Sequence, residues 1–431
     1  MRIPRAPRRS VLAASLLLGG LAACGPNAPG GAGASDGAAL RFAWWGNAKR
    51  DELTKTALET YSAAHDGAAV SPETTDWSSY WDKLATQVAG GDVPDVLQMD
   101  EGYLAEYSSR GILADLGDSG LATDGFDPTA LDAGKVEGSL VAVNAGINAP
   151  VLLANPAVFE AAGVDLPDDT TWTWDDLVDI ATRITEGTEE GTYGVQQLGI
   201  AGDPTFSVHL RQQGAQKFDG SALGFTEEHL LAWFELALRL QDTKAAPPAD
   251  VAVEEAGQAV DQTLFATGKC GLQSQWSNQV VTFDASLDGA VTVLRMPSLA
   301  GAADQAQLWY KASMYFAVSA RSGQQEAAVA LVDWLVNSEE AGRILLAERG
   351  VPANLDVREA ILPELTEADL KAVDFIEAIA EELGEQPSIT PPGGSAVGDA
   401  LQRGMEDVLF GRVEAADAAS SVLQEASGAL G

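Results

Sequence analysis

Residues 76–116, DWSSYWDKLATQVAGGDVPDVLQMDEGYLAEYSSRGILADL, leave the chain few architectures to choose from. Their apolar spacing predicts a helix over 79–89, a stop at Gly90-Gly91, a short buried strand over 95–99, and a second helix opening near Gly102. A buried strand between two helices is the unit of an open parallel sheet, and in such sheets a ligand lies off the carboxyl ends of the strands. The turn Gln98-Met99-Asp100 is therefore expected to form a pocket wall, flanked by Trp77, Tyr80 and Tyr103.

The flanking sequence extends this pattern. Residues 40–45 have strand character and end at Gly46-Asn47, residues 49–64 show helical spacing at Leu53, Ala57, Leu58 and Tyr61, and a second strand is expected at 68–72. Strand, helix, strand, helix, strand is the order of a right-handed parallel sheet. Later strands are expected at 139–143 and 150–154, bracketing a loop over 144–149, and at 270–275, 290–296 and 314–319. Thr173 is a natural cap for a helix opening at Trp174, with Asp175 and Asp176 suited to its first turn. Further helices are predicted at 226–241, 254–267 and 324–337, with a Pro-Ala linker at 243–250 and a mostly helical tail from Leu365, broken at Pro387 and Pro391-Pro392-Gly393-Gly394.

A length of 431 residues with 46% hydrophobic content fits two large cores better than one. The formal charge of −37, from 26 basic and 63 acidic residues, offers no face on which to neutralise phosphates, so nucleic acid is not an expected partner. The N-terminus carries Arg2, Arg5, Arg8 and Arg9 ahead of VLAASLLLGGLAA, an apolar run too short to span a bilayer. This is the form of an export signal over 1–23. Leu21-Ala22-Ala23-Cys24 followed by Gly25 resembles the bacterial lipobox, which makes Cys24 the expected lipidation site. Arg8-Arg9-Ser10 also has features of a twin-arginine signal. Removing 1–23 takes away four arginines and no acid, and moves the charge from −37 to −41. Residues 25–39 are mainly Gly, Ala and Pro and read as a flexible tether. With Cys24 lipidated, Cys270 has no disulfide partner and is expected to be a buried small hydrophobe.

In their order, several blocks resemble the extracellular solute-binding proteins of ABC importers, in the branch that binds sugars and includes the maltodextrin-binding proteins. They are Phe42-Ala43-Trp44-Trp45-Gly46, Asp82-Lys83-Leu84-Ala85-Thr86-Gln87 through Pro94-Asp95-Val96, Arg110-Gly111-Ile112-Leu113-Ala114-Asp115-Leu116, Asn155-Pro156 with Ala161-Ala162-Gly163-Val164, Thr173-Trp174-Asp175-Asp176-Leu177, Phe265-Ala266-Thr267-Gly268-Lys269, and Arg349-Gly350-Val351-Pro352-Ala353-Asn354. The resemblance implies an α/β, two-lobed periplasmic-binding-protein-like fold of type II, with three hinge crossings and a ligand cleft between the lobes. The crossings are expected near 149–152, 297–307 and Val336, giving one lobe of 40–149 plus 300–335 and another of 150–298 plus 336–431. Two departures stand out. Glu137-Gly138-Ser139 replaces the usual Asp-Gly-Lys turn, and Ser395-Ala396-Val397-Gly398-Asp399 stands where maltodextrin binders place an aromatic sugar platform, which argues against maltodextrin as the ligand.

A sugar ring presents apolar C–H faces and a rim of hydroxyls, so its site needs flat aromatic surfaces together with short side chains that donate and accept. By position the candidates are Trp45, Asn47, Trp77, Tyr80, Gln98, Asp100, Tyr103, Asn148, Trp276, Asn278, Gln279, Trp309, Tyr310 and Lys311. Trp44 and Trp45 point to opposite faces of one strand, and Trp45, beside Gly46, is the one assigned to the cleft. Trp81, Trp174, Trp233 and Trp334 fall at helical spacing and are assigned to packing. His65, His209 and His229 form no metal-ligand spacing, and neither a Gly-x-Ser-x-Gly elbow nor a phosphate loop occurs. With 63 acids, chance carboxylate pairs keep a secreted glycosidase as the alternative, and a non-sugar solute in the same fold is a third reading. The expectation is a monomeric, non-enzymatic protein without cofactor or metal. It is anchored outside the cell membrane by lipid on Cys24, binds a sugar or oligosaccharide, and serves the permease subunits of an ABC transporter.

Overall fold

The computed structural model describes residues 39–431 apart from 47, 67, 201–203 and 259. The export signal, Cys24 and the tether lie outside these residues, as does Asn47. In chain order the strands are β1 (Leu40–Trp45), β2 (Val70–Thr75), β3 (Val96–Met99), a small hairpin of β4 (Lys135–Val136) and β5 (Ser139–Leu140), β6 (Val143–Asn148), β7 (Pro150–Ala154), β8 (Tyr193–Val195), a second hairpin of β9 (Phe218–Asp219) and β10 (Ala222–Leu223), then β11 (Cys270–Trp276), β12 (Thr292–Leu294) and β13 (Lys311–Val318). They form two larger sheets, β2-β1-β3-β13-β6 and β12-β7-β11-β8. Parallel pairing is confined to β2-β1-β3 and to β11-β8, and every other pair in these two sheets is antiparallel.

Local chemistry sets the elements around the first sheet. Helix α1 (Ala48–Ala64) packs Ala57, Leu58 and Tyr61 inward. Helix α2 (Trp77–Gly90) opens where the Asp76 carboxylate accepts from the Ser79 N–H at 3.1 Å. It ends at Gly91, whose φ of 73° lets the turn return two N–H groups to the last carbonyls. Helix α3 (Glu101–Ser109) is capped by Asp100, which accepts from the Gly102 N–H at 2.9 Å. Along β1, Phe42 and Trp44 face one buried apolar cluster, and Ala43 and Trp45 face a second one under α2 and α3.

Several sequence expectations change here. Residues 144–149, expected to be a loop, are mostly strand β6, with Asn144 and Asn148 almost fully buried. Gly146 makes this possible, because a Cβ there would lie 2.2 Å from the Arg349 carbonyl oxygen, where the 349–351 segment crosses the strand. The helix expected over 254–267 instead occupies Ala249–Ala256, beginning in the last two residues of the supposed linker, and stops at Gly257. Beyond Val336, helices Gln325–Asn337, Glu339–Leu345 and Leu355–Ile361 pack on one another, and the first two also pack on α1. Only from Glu367–Ala378 onward does the tail pack on elements of the second sheet, with Gly394–Leu409 and Ala415–Leu430 lying against Glu227–Asp242.

The ends of β1 and β3 are tied down by a buried polar network. The Gln98 side chain donates to the Trp45 carbonyl at 3.0 Å and accepts from Arg349 Nε at 3.1 Å, while Arg349 Nη2 donates to Thr54 on α1 at 2.8 Å. Burial pulls the Arg349 pKa down to about 9. Gln98 is completely buried and thus spent on this network, not on the cleft assigned to it from sequence. Gln98→Leu leaves the Arg349 Nε–H without a partner and the Trp45 carbonyl with only the Arg50 guanidinium, at 3.3 Å. At about 1–3 kcal/mol per orphaned buried group, unfolding free energy should fall by about 1–3 kcal/mol in urea titrations. A loss below about 0.5 kcal/mol would remove the network from this role.

Candidate functional site

A cavity of about 280 Å³ lies where the ends of the two sheets meet. From the first sheet come Asp100, Glu101 and Gly102 at the start of α3, and Trp309 and Lys311 at the start of β13. From the second come Trp276 at the end of β11, Ser207 and Arg211 on helix Thr205–Arg211, and Gln216, Lys217 and Phe218 just after it. Pro387, Ser388, Thr390, Gly394, Val397 and Gly398 complete the wall. The broken Pro-Gly segment thus becomes a rim of small side chains where a bulky platform was expected to be missing.

Two tryptophans dominate the geometry. Trp276 and Trp309 meet edge to face, with ring centroids 5.9 Å apart and planes at 81°. The Lys311 Nζ lies 5.4 Å from the Trp276 ring centre, and the Arg211 guanidinium 5.1 Å from that of Trp309. Lys311 also approaches Glu101, at 3.9 Å. Burial raises the Glu101 pKa, the neighbouring Asp100 adds to the rise, and Lys311 and Lys217 oppose it. Apolar faces, carboxylates, an amide, hydroxyls and cations therefore converge on one space. Among the described residues no group of three or more His, Cys, Asp or Glu side chains could hold a metal ion.

Of the residues assigned to the cleft from sequence, Asp100, Trp276, Trp309 and Lys311 line this cavity. Trp45, Trp77, Tyr80 and Tyr103 gather elsewhere, around Trp81. Trp45 lies 4.9 Å from Trp77 and 5.2 Å from Tyr80 between ring centres, and Tyr103 stacks on Trp81 at 3.6 Å. Trp45 and Tyr80 are core residues, with the Tyr80 hydroxyl donating to the Gln98 carbonyl at 2.7 Å, whereas Trp77 is 44% exposed. Tyr310 is also core, its hydroxyl donating to the Ile376 carbonyl at 2.7 Å and its ring bordering only a hollow of about 50 Å³ behind the cavity. Asn148 is buried at the end of β6, and Asn278 and Gln279 are half-buried in the turn after Trp276, outside the cavity wall. Sequence reasoning missed Glu101, Ser207, Arg211, Gln216, Lys217 and Phe218. The available signal was the arginine ending a short helix, followed by the polar run Gln212-Gln213-Gly214.

Comparison with known proteins bears on this architecture. The sequence profile of the bacterial extracellular solute-binding proteins matches residues 24–342. An uncharacterised lipoprotein of Streptomyces antibioticus is 31% identical over 201 residues, which cover 43% of this chain and 41% of the relative. Among solved structures, a periplasmic solute-binding protein of Pectobacterium atrosepticum superposes with a TM-score of 0.79 at 22% identity, over 91% of this chain and 98% of its own. A periplasmic oligogalacturonide-binding protein of Yersinia enterocolitica gives a TM-score of 0.75 at 21% identity, over 91% and 99%. At such identities these likenesses concern the fold. The profile, spanning well over half of the sequence, settles the lineage: the chain belongs to the bacterial extracellular solute-binding protein family.

Proposed function

We propose that this protein is the lipid-anchored, ligand-capturing component of an ABC importer, holding a sugar or short oligosaccharide between its two sheets and handing it to a membrane permease. The observation that carries the reading is the Trp276–Trp309 corner, set within one cavity beside the Asp100-Glu101 carboxylates. An indole face matches the apolar side of a pyranose, and carboxylate, amide and hydroxyl groups match its rim. At about 280 Å³ the cavity stands at the lower end of the roughly 300–1,000 Å³ usual for small-molecule pockets, which fits one or two sugar rings. The oligogalacturonide-binding relative in the same fold supports a saccharide, as does an acarbose-binding receptor of Streptomyces glaucescens.

The walls come from two sheets joined by few connecting segments, so a ligand touching both favours the arrangement in which they approach. That differential affinity is what lets a permease distinguish loaded protein from empty. The lipobox at Cys24 and the lipoprotein relative support anchoring. Among the described residues no helix is long and apolar enough to cross a membrane.

A thermal-shift screen against mono- and oligosaccharides should find at least one that raises the melting temperature, because binding confined to the native state stabilises it. In calorimetry with that saccharide, Trp276→Ala removes roughly 100 Å² of stacking surface and should cost about 2.5 kcal/mol of binding. Unchanged affinity would take Trp276 out of the site. Cys24→Ser should move the protein from the membrane fraction to the medium in a fractionated culture, and retention in the membrane would refute lipid anchoring.

A further inference from the structure

Charge at the cavity runs against the composition of the chain. Acidic residues outnumber basic ones 63 to 26 overall, yet the cavity wall holds Arg211, Lys217 and Lys311 against Asp100 and Glu101. Lys311 and Lys217 both act on Glu101, with Lys311 at 3.9 Å. Arg211 is different. It is 9% exposed, and its Nε donates to the Gln307 carbonyl at 3.0 Å and its Nη2 to the Glu385 carbonyl, both neutral acceptors. No described carboxylate lies within 4.0 Å of this guanidinium.

A guanidinium removed from water with no carboxylate in contact carries a desolvation cost, visible in a pKa that burial pulls down to about 10 although the Glu385 charge opposes the fall. Two carbonyl bonds use two of its five N–H groups and leave the rest of a planar fork suited to a carboxylate. The fork also lies over the Trp309 ring, one of the two surfaces available to a pyranose. Resting on the saccharide reading above, we propose that the ligand is an acidic sugar, a uronic acid or short uronide, whose carboxylate pairs with Arg211 while its ring lies against the Trp276–Trp309 corner. Lys217 supplies a second positive charge on the same wall, and Asp100 and Glu101 are left to the hydroxyl rim.

The test is calorimetry on the purified protein with glucuronate, galacturonate, mannuronate and their disaccharides. Each is paired with the neutral sugar that carries CH2OH in place of the carboxylate, and sugar phosphates form a third arm. At least one uronide should bind tenfold or more tighter than its neutral counterpart, about what a charge-assisted bidentate contact yields. Arg211→Gln should lower that preference about tenfold. Lys217→Gln, which leaves the Gln307 and Glu385 carbonyls paired, should lower it in the same direction and keeps the test open if the arginine variant does not fold. Equal or tighter binding of the neutral sugars, or tighter binding of the phosphates, would overturn the uronide assignment and leave the saccharide reading standing. Absence of binding by every sugar, acidic or neutral, would overturn both.

Discussion

The antiparallel insertion of β13 between β3 and β6 is the constraint on which the rest of this molecule depends. Tyr315 pairs with Met99, so β13 begins beyond the carboxyl end of β3, and Trp309 and Lys311 arrive beside the Asp100-Glu101 turn. The same strand pairs Lys311 with Asn148, next to the point where the chain leaves for β7 and the second sheet. Backbone pairing alone thus carries two segments from the first quarter and the last third of the sequence to one wall. Trp276, ending β11, then closes on Trp309 from the other sheet.

Two buried arginines show how differently the fold treats the same charge. Arg349 sits among Gln98, Thr54 and the nearby Glu348, which is 3.9 Å away, and it fastens α1 to the ends of β1 and β3. Arg211 is nearly as buried, yet its contacts are main-chain carbonyls and an indole face, with the Glu385 charge acting on it without an ion-pair contact. The first is an internal tie, held through its Nε and Nη2 by side chains of two elements, with stability as its evident role. The second keeps donors toward an open space, an expensive arrangement for a residue with no task there.

Much of the fold was legible in sequence because its signals are local. Asp76, Thr173 and Gly91 mark helix ends through their own side chains or dihedrals, and Trp44 and Trp45 had to face opposite sides of a strand. The site was legible only where a residue ended a strand, as Asp100, Trp276 and Lys311 do or nearly do. Trp45, Tyr80 and Gln98 read as cleft residues because they are polar or aromatic near that edge. Helix α2 covers their face, and the Trp45 carbonyl and Arg349 take up the Gln98 amide, neither of which has a local signature. Strand β6 was missed for a similar reason, since its polar residues are paid for by pairing with β13 and by the crossing at Arg349. Arg211 depends on Gln307 and Glu385, contacts no window of sequence contains.

The wide separation of β3 from β13 along the chain also orders events during synthesis. As the ribosome releases the first hundred residues, β1, β2 and β3 can pair, but the open side of β3 must wait until residue 318 has emerged. Loop closure over so long an interval is slow, and a half-built sheet stays loose in the meantime. A polypeptide whose central sheet cannot close until most of it exists holds its first quarter in an unfinished sheet for most of its synthesis.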